Sequence, residues 1–304
     1  MSGRPVEPAP QTEAKVTVLT LQEKRERGEA LAMLTAFDAP SAQLVDESGA
    51  DAILVGDSLA MVVLGHPNTL SVTMDEMIHH AKAVRRGARR ALVLADMPFM
   101  SYQADVVDAV RNAGRFVAEA GMEAVKLEGG RDHAAAVRAI VRAGIPVMGH
   151  LGLTPQSLNA LGGFRTQARS APAARRLLED ALALEEAGCF AIVLECVPEP
   201  VGTLVTERLR IPTFGIGAGR STSGQVLVTH DVLGLYPRVP RFARQYATLA
   251  DSAREALTHF CEDVKEHRFP GPEHVLSMPR EEAAALRKAK GALAQGRSRR
   301  PRPA

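Results

Sequence analysis

The segment AGMEAVKLEG, residues 120–129, contains a glycine, a short link and then a mostly apolar run that ends in an acid. Glycine is favoured just past the end of a helix, where the backbone turns left-handed. A short apolar run without polar alternation is typical of a strand buried on both faces, as in a parallel sheet. We therefore predict that a helix ends near residue 120 and that a buried strand follows it.

The same arrangement recurs along the chain. It is repeated in SGADAILVGD (48–57), RGARRALVLAD (86–96), AGIPVMGHLG (143–152) and AGCFAIVLEC (187–196). Further strands are predicted at 31–37, 211–219 and 224–231, with helices at 39–48, 74–86, 104–120, 131–143, 173–187 and 199–209. About eight alternations of strand and helix favour an α/β fold of the (β/α)8 TIM-barrel type. An open doubly wound sheet is the alternative, because periodicity does not show closure.

The domain organisation is inferred from the absence of a linker sequence inside the predicted barrel. We expect one catalytic barrel domain over residues 15–276. Residues 1–14 contain three prolines and no apolar stretch, so they are expected to form a disordered tail rather than a secretory signal. Extra carboxyl-terminal helices are predicted at 241–267 and 280–289. Residues 277–304 are expected to form a helix and a basic, disordered tail.

Composition excludes several functional classes. The net charge is +2, but seven basic residues and no acid lie in 287–304, so the rest of the chain carries −5. No basic stripe with interleaved aromatic residues is present, which excludes a nucleic-acid partner. No apolar run reaches about 18 residues, which excludes a membrane-spanning helix. The spacing of Cys189, Cys196 and Cys261 suits buried thiols in a cytoplasmic protein better than a metal site.

Two long loops locate the expected site. Residues 58–72 and 153–169 each follow a predicted strand and are far longer than the helix-to-strand links. Loops of this length are often functional. Both lie at the carboxyl ends of strands, the face that carries active sites in α/β barrels. We therefore expect the site at this face.

Ionisable residues end the predicted strands. They are Asp57, Asp96, Glu128, His150 and Glu195. Carboxylates brought together repel one another unless they share a cation or a proton, and an all-oxygen ligand set favours Mg²⁺ over Zn²⁺. Lys126 lies on the same strand face as Glu128 and needs a partner or a substrate anion. Glu195, which has apolar neighbours in sequence, suits a general base.

Each of these residues also has a structural interpretation. Asp57 suits a helix cap, Asp96 a turn, and Lys126 with Glu128 a structural ion pair, while His150 suits a core histidine. The glycine-rich segment at 215–224 could offer its amide groups to an anion, although it lacks the spacing of a dinucleotide site.

Motifs around these residues resemble the ketopantoate hydroxymethyltransferase family. The matching segments are LTAFDAPSAQLVDESGAD, ILVGDSLAMVVLGHPNTLSVTMDEMIHHAKAV, LADMPFMSY, AVKLEGG, GHLGLTPQSLNALGGF, IVLECVP, GIGAGRSTSGQVLVTHDVLG and RFARQYA. They occur in family order and with family spacing, from about residue 30 to FPGPEH at 269–274.

The resemblance implies roles for individual residues. Asp57, Asp96 and Glu128 match the residues that hold one Mg²⁺, and Glu195 matches the catalytic base. The residues that match the substrate-binding set are Asp57, Ser58, Asp96, Lys126 and His150. This sequence departs from the family pattern at Ala60 and Ala168, where glycine is usual, and at Ser223, where aspartate is usual.

The resemblance also implies an activity. The family transfers a hydroxymethyl group from methylenetetrahydrofolate to 3-methyl-2-oxobutanoate through a Mg²⁺-stabilised enolate, which gives ketopantoate in the first step of pantothenate synthesis. A homodecamer in the cytoplasm is implied as well. The alternatives are another Mg²⁺ barrel that acts on 2-oxo acids, such as a relative of isocitrate lyase or phosphoenolpyruvate mutase, and a non-catalytic barrel whose site has decayed.

Overall fold

The computed structural model describes residues 14–236 and 239–297. Two expected tails lie largely or partly outside the described residues. They are the amino-terminal tail at 1–14, of which only Ala14 is described, and the basic tail, of which 298–304 are not described. The chain divides after Thr248 into two compact units. The domain boundary expected at residue 276 remains a prediction.

Parallel strands close into a barrel in the order of the sequence, and the last strand pairs with the first. The strands are β1 (Leu31–Thr35), β2 (Ala52–Val55), β3 (Leu92–Asp96), β4 (Ala124–Glu128), β5 (Val147–Gly152), β6 (Ala191–Glu195), β7 (Thr213–Ile216) and β8 (Gly224–Leu227). This topology confirms the predicted (β/α)8 barrel, and the closure excludes an open sheet.

Helices alternate with these strands. Those of the first unit are α1 (Val18–Glu26), α2 (Ala39–Glu47), α3 (Leu59–Val62), α4 (Met74–Gly87), α5 (Val106–Ala120), α6 (Ala134–Arg142), α7 (Leu158–Leu161), α8 (Ala171–Ala187), α9 (Glu199–Arg208) and α10 (Thr229–Leu233). The second unit contains α11 (Leu249–Lys265) and α12 (Arg280–Arg297). Single 3-10 turns lie at Arg131–His133, Pro155–Ser157 and Pro272–His274.

Glycine ends two of the long helices, as the repeated pattern predicts. α5 ends at Gly121 with φ 68°, and α8 ends at Gly188 with φ 103°. Both values lie in the left-handed region, where a Cβ atom would be strained. A buried strand begins a few residues later in each case, so the chain turns sharply from the outer helix into the barrel.

Apolar side chains form two cores, one on each side of the barrel wall. Met33, Leu94 and Phe214 belong to the inner core. Leu127 and Phe116 belong to the outer core, between the strands and the helices. Because both faces of the strands are buried, the strands are apolar along most of their length.

α1 packs against the inner core at the amino-terminal end of the barrel. Leu21 of this helix is fully buried within the inner core. Lys24 Nζ lies 2.5 Å from Asp51 Oδ1, and the other carboxylate oxygen of Asp51 accepts the Ala32 amide at 2.9 Å. This end of the barrel is therefore held by apolar packing and by a largely buried ion pair.

Side chains of β4 alternate between the two faces of the barrel wall. Val125 and Leu127 lie in the outer core. Lys126 and Glu128 occupy the opposite face and line a cavity at the carboxyl end of the barrel. Strand alternation therefore places charged residues inside the barrel mouth without exposing the outer core to them.

Several predicted boundaries differ from the structure. The strand predicted at 224–231 is wrong beyond Leu227, because pairing with β1 ends there and α10 begins at Thr229. The Thr229 amide donates to Thr35 Oγ1 at 3.1 Å, which anchors this turn. The predicted helix 241–267 begins only at Leu249, and the one predicted at 280–289 extends to Arg297.

Candidate active site

A cavity of about 480 Å³ lies at the carboxyl ends of the strands. All of the site residues predicted from the sequence line it, namely Asp57, Ser58, Asp96, Lys126, Glu128, His150 and Glu195. Both long loops contribute to its wall, through residues such as Thr69 and Phe164. The structure therefore brings the strand-end residues together at the expected face of the barrel.

Lys126 and His150 link the carboxylates of the cavity floor. Lys126 Nζ lies 2.8 Å from Asp96 Oδ1 and 3.3 Å from His150 Nδ1. The other nitrogen of the His150 ring, Nε2, lies 3.2 Å from Glu195 Oε2, and Nδ1 lies 3.3 Å from Glu128 Oε1. The cluster therefore runs from Asp96 on β3 to Glu195 on β6.

The register of the strands explains these contacts. Asp96 pairs with Lys126 across β3 and β4, and Glu128 pairs with His150 across β4 and β5. Neighbouring parallel strands lie about 4.8 Å apart, so side chains at paired positions on the same face contact each other. The register of the strands alone therefore places two pairs next to each other, each formed by an acidic and a basic side chain.

Asp57 lies just beyond β2 and is held against Asp96. The Asp57 amide donates to Asp96 Oδ2 at 3.0 Å. Burial, followed by the negative charges of Asp96 and Glu128, raises the pKa of Asp57 well above its usual value. Burial also raises the pKa of Asp96, although the Lys126 ammonium opposes this shift. The two carboxylates thus form a buried, mutually repelling pair.

The two cationic side chains respond to the surrounding acids. Burial alone lowers the pKa of Lys126, but Asp96, Glu128 and Asp57 outweigh it, so the pKa lies above its usual value. Burial and Lys126 lower the pKa of His150, whereas Glu128 and Glu195 raise it by more, to about 9. The surrounding acids therefore favour the charged form of each of these side chains.

Gln156 is a member of the site that the sequence analysis did not single out. Its Nε2 donates to Asp57 Oδ2 at 2.8 Å and to the Met97 carbonyl at 2.9 Å. Its Oε1 accepts from Tyr102 Oη at 2.8 Å. Its backbone amide donates to Glu128 Oε2 at 2.9 Å. A single buried side chain and its amide thus hold two of the three carboxylates expected to bind the metal.

Tyr102 is the second member that the sequence analysis missed. Its hydroxyl accepts the Glu128 amide at 3.1 Å and lies 3.0 Å from the Glu128 carbonyl. Tyr102 and Gln156 both lie in quoted motifs, LADMPFMSY and GHLGLTPQSLNALGGF. Only these motifs could have identified the two residues from the sequence, since neither residue belongs to a periodic pattern.

The carboxylates suit a hard cation, although they are not arranged around one. Within 14–236 and 239–297, no group of three or more His, Cys, Asp or Glu side chains is positioned to hold a metal ion. Asp96 Oδ1 is buried without an aligned hydrogen bond, even though the Lys126 ammonium lies at ion-pair distance. Burial raises the pKa of Asp57, and repulsion from Asp96 and Glu128 raises it further; a divalent ion relieves such repulsion. Asp57, Asp96 and Glu128 thus fit Mg²⁺ by their donor chemistry.

The glycine-rich segment takes little part in the cavity. Of residues 215–224, only Ile216 lines it. The Arg220 amide donates to Glu199 Oε1 at 3.2 Å, so one of the amides expected to bind an anion already has a partner. The anion site that we predicted for this segment does not coincide with the cavity.

A sequence profile described as ketopantoate hydroxymethyltransferase matches residues 15–272. The chain belongs to this family. A 3-methyl-2-oxobutanoate hydroxymethyltransferase from Carboxydothermus hydrogenoformans is 56% identical over 265 residues, which cover 87% of this chain and 96% of the relative. The enzyme of the same name from Syntrophobacter fumaroxidans is 59% identical over 257 residues, covering 84% and 91%. The chain is thus a transferase of the ketopantoate hydroxymethyltransferase family.

Solved structures of other proteins share the barrel fold of this chain. Phosphonopyruvate hydrolase in complex with oxalate and Mg²⁺ has a TM-score of 0.56 and 13% identity, over 91% of this chain and 96% of the other. For 2,3-dimethylmalate lyase, a member of the PEP mutase/isocitrate lyase superfamily, these values are 0.55 and 17%, over 92% and 98%. These similarities concern the fold alone. Among the described helices of this ketopantoate hydroxymethyltransferase family member, none is both long and apolar enough to cross a membrane.

Proposed function

We propose that this protein transfers a hydroxymethyl group from methylenetetrahydrofolate to 3-methyl-2-oxobutanoate, as the first step of pantothenate synthesis. In this reaction C3 of the keto acid loses a proton and forms a bond to the methylene carbon, and both bonds from that carbon to the folate nitrogens break. The folate nitrogens take up two protons, which balance the one lost from C3 and the one lost from water. Water supplies the hydroxyl oxygen, and tetrahydrofolate leaves. The observation that carries the proposal is the pairing of Glu195 with His150, 3.2 Å apart, in the cavity that also holds the three carboxylates.

Glu195 removes the C3 proton in this proposal. Its side chain is 16% exposed, whereas those of Glu128 and His150 are 3% exposed, so it is the more accessible acid of this group. Glu128 and Glu195 raise the pKa of the neighbouring His150 ring to about 9, although burial and Lys126 oppose this shift. Nε2 of this ring lies 3.2 Å from Glu195 Oε2, which positions the carboxylate of the proposed base within the cavity.

Asp57, Asp96 and Glu128 would hold Mg²⁺ in the proposed enzyme. When bound, the ion supplies positive charge that polarises the 2-oxo group and acidifies the neighbouring C3–H bond. Lys126 neutralises Asp96 and presents a buried ammonium to the cavity, which suits the carboxylate of the keto acid. Ser58 lines the cavity beside Asp57 and makes no capping bond to α3, so its hydroxyl is available to substrate.

Glu195→Gln tests the base directly. We expect this variant to bind the keto acid but to lose deuterium exchange at C3 by roughly 10²- to 10⁴-fold, the usual contribution of a general base. Exchange is followed by proton NMR with Mg²⁺ and without folate. Glu199→Gln is the control, because Glu199 is an exposed acid that pairs with Arg220 and does not line the cavity. Exchange at the wild-type rate in Glu195→Gln would assign the base to another residue.

The metal assignment has a separate test. Asp57→Ala and Asp96→Ala are expected to abolish Mg²⁺-dependent binding of the keto acid in calorimetry while circular dichroism shows a folded protein. Both residues are buried and face the other carboxylates. Unchanged Mg²⁺-dependent affinity in either variant would contradict its role as a ligand.

The proposal includes a homodecamer in the cytoplasm. Support for association comes from apolar side chains that remain exposed in the single chain, including Leu44 at 65% on α2 and Leu19 at 69% on α1. Support for a reducing compartment comes from Cys189, Cys196 and Cys261, which are free thiols. Light scattering would give the mass of ten 32.5 kDa chains for a decamer, and a monomeric mass would refute it.

A further inference from the structure

A second part of the cavity is left without a role by the proposed chemistry. Its walls include Met61, Val62, Phe164, Pro240 and Phe242. Phe164 is 53% exposed and Phe242 is 39% exposed, although the whole chain has only nine phenylalanines. Exposed aromatic side chains at a cavity wall are suited to packing against a flat ring.

The cavity wall also includes the carboxylate of Asp231, which lies outside the strand-end cluster. Asp231 belongs to α10 and lines the cavity. Its backbone amide is bonded to the Val228 carbonyl at 3.0 Å, but its side chain has no hydrogen bond or ion pair to any described residue. The residue is half-buried, and burial raises the pKa of its carboxyl group. A partly desolvated acid without a partner is a candidate for binding hydrogen-bond donors of a ligand.

A second polar group of the cavity wall also lacks a partner among the described residues. Thr69 lies in the long loop after β2, is 2% exposed and lines the cavity. Its Oγ1 is buried and has no hydrogen-bond partner among the described residues. Buried hydroxyl groups are costly to leave unpaired, so a ligand that reaches Thr69 would satisfy it.

The barrel topology separates Asp231 from Lys126 and Glu128. α10 follows β8, which lies four strands from β4 in either direction around the closed barrel. Asp231 therefore follows the strand opposite the one that carries Lys126 and Glu128. Glu195 ends β6, which lies midway between the two. Asp57 follows β2, which lies midway on the other side. A ligand held near Asp231 and a keto acid held near Lys126 would thus approach each other across the barrel mouth, between Glu195 and Asp57.

We propose that Asp231 binds the pterin ring of the reduced-folate donor by accepting hydrogen bonds from its 2-amino group and its N3–H. This inference rests on the proposed function and assigns one of its two substrates to a subsite. The two donors lie side by side on the pyrimidine edge, and a carboxylate accepts such a pair through both oxygens, as it does from arginine. Phe164 and Phe242 supply apolar surface for the ring, and Thr69 supplies a further polar contact.

Tetrahydrofolate binding measured by calorimetry tests this assignment. Asp231→Asn keeps the shape of the side chain but replaces one acceptor with a donor that opposes those of the pterin. We expect its affinity for tetrahydrofolate to fall roughly ten- to hundredfold, as for the loss of a charge-assisted pair of hydrogen bonds. Asp75→Asn is the matched control, because Asp75 is 84% exposed, pairs with Arg115 and does not line the cavity.

A second ligand makes the test independent of how the variant folds. The 2-desamino analogue of tetrahydrofolate lacks one of the two donors, so wild-type protein should bind it more weakly than tetrahydrofolate. Asp231→Asn should distinguish the two ligands much less. Equal affinity of the wild type for both ligands, or unchanged tetrahydrofolate affinity in Asp231→Asn, would overturn the assignment.

The outcome is separable from that of the proposed function. Exchange at C3 of the keto acid, measured on the wild type without folate, tests Glu195 and the metal centre alone. If the wild type exchanges C3 but neither Asp231→Asn nor the analogue alters binding, only the pterin subsite is refuted. If tetrahydrofolate binding depends on Asp231 while the wild type never exchanges C3, only the proposed chemistry is refuted.

Discussion

Replacement of Gln156 by leucine removes four side-chain hydrogen bonds from the floor of the cavity with little change in side-chain size. Nε2 loses Asp57 Oδ2 and the Met97 carbonyl as acceptors. Oε1 loses Tyr102 Oη and Gln103 Nε2 as donors. Since Gln156 is 5% exposed, water does not readily replace the lost partners.

The expected cost follows from which groups remain unpaired. The Tyr102 hydroxyl can still donate to the Glu128 carbonyl, 3.0 Å away. Asp57 Oδ2 and the Met97 carbonyl have no such substitute in the network, and each unsatisfied buried group costs about 1–3 kcal/mol. Gln156→Leu should therefore lower the free energy of unfolding by about 2–6 kcal/mol. Gln103→Leu loses two partly buried hydrogen bonds, one to Gln156 Oε1 at 3.0 Å and a longer one from the Tyr102 amide at 3.4 Å, and should cost about 1–2 kcal/mol.

Thermal unfolding followed by circular dichroism compares the two variants. A barrel of this size changes its Tm by about 2–4 °C for each kcal/mol, so Gln156→Leu should melt on the order of 10 °C below the wild type. Gln103→Leu should melt only a few degrees below it. All samples need the same protein concentration, because association stabilises the folded chain. Equal Tm values for the two variants would refute the reasoning that Gln156 is the main support of the carboxylates.

Two departures from the family pattern and the cysteines give further expectations. Ala168 has φ 53°, so Ala168→Gly should relieve left-handed strain and raise the Tm, whereas Ala60→Gly, inside α3, should lower it. Shifts of the same sign in both variants would contradict this. Burial raises the pKa of Cys189 to about 12, so a thiol reagent at pH 8 should modify exposed Cys261 first and Cys189 only on unfolding. Mass spectrometry measures the order, and equal rates for both thiols would contradict it.

The sequence predicts those site residues whose position follows from strand alternation. Asp96, Lys126, Glu128 and Glu195 lie at the ends of apolar runs, so the pleat directs them into the barrel mouth once the barrel closes. Closure itself was favoured only by the number of alternations. The register that pairs Asp96 with Lys126 comes from the three-dimensional structure.

The residues that the sequence analysis missed lie where no periodicity exists. Tyr102 and Gln156 belong to loops after β3 and β5, and only the folded barrel brings these loops together over Glu128. α1 was missed because it is short and polar, although Thr17 and Thr20 cap its start. Asp231 was placed in a strand, because the apolar run of β8 continues in sequence after its pairing with β1 has ended.

The alternation along β4 has a consequence for how the chain can change in length. A single-residue insertion or deletion within β4, before Lys126, would exchange the two faces of the rest of the strand. Lys126 and Glu128 would then enter the outer core, and Val125 and Leu127 would enter the cavity. The loops after β2 and β5 have no alternating pattern of this kind. Insertions and deletions can therefore occur in these loops at the entrance to the cavity, but not in the strands that form its floor. We therefore expect related chains to differ in length in these loops and to have the same number of residues in each strand.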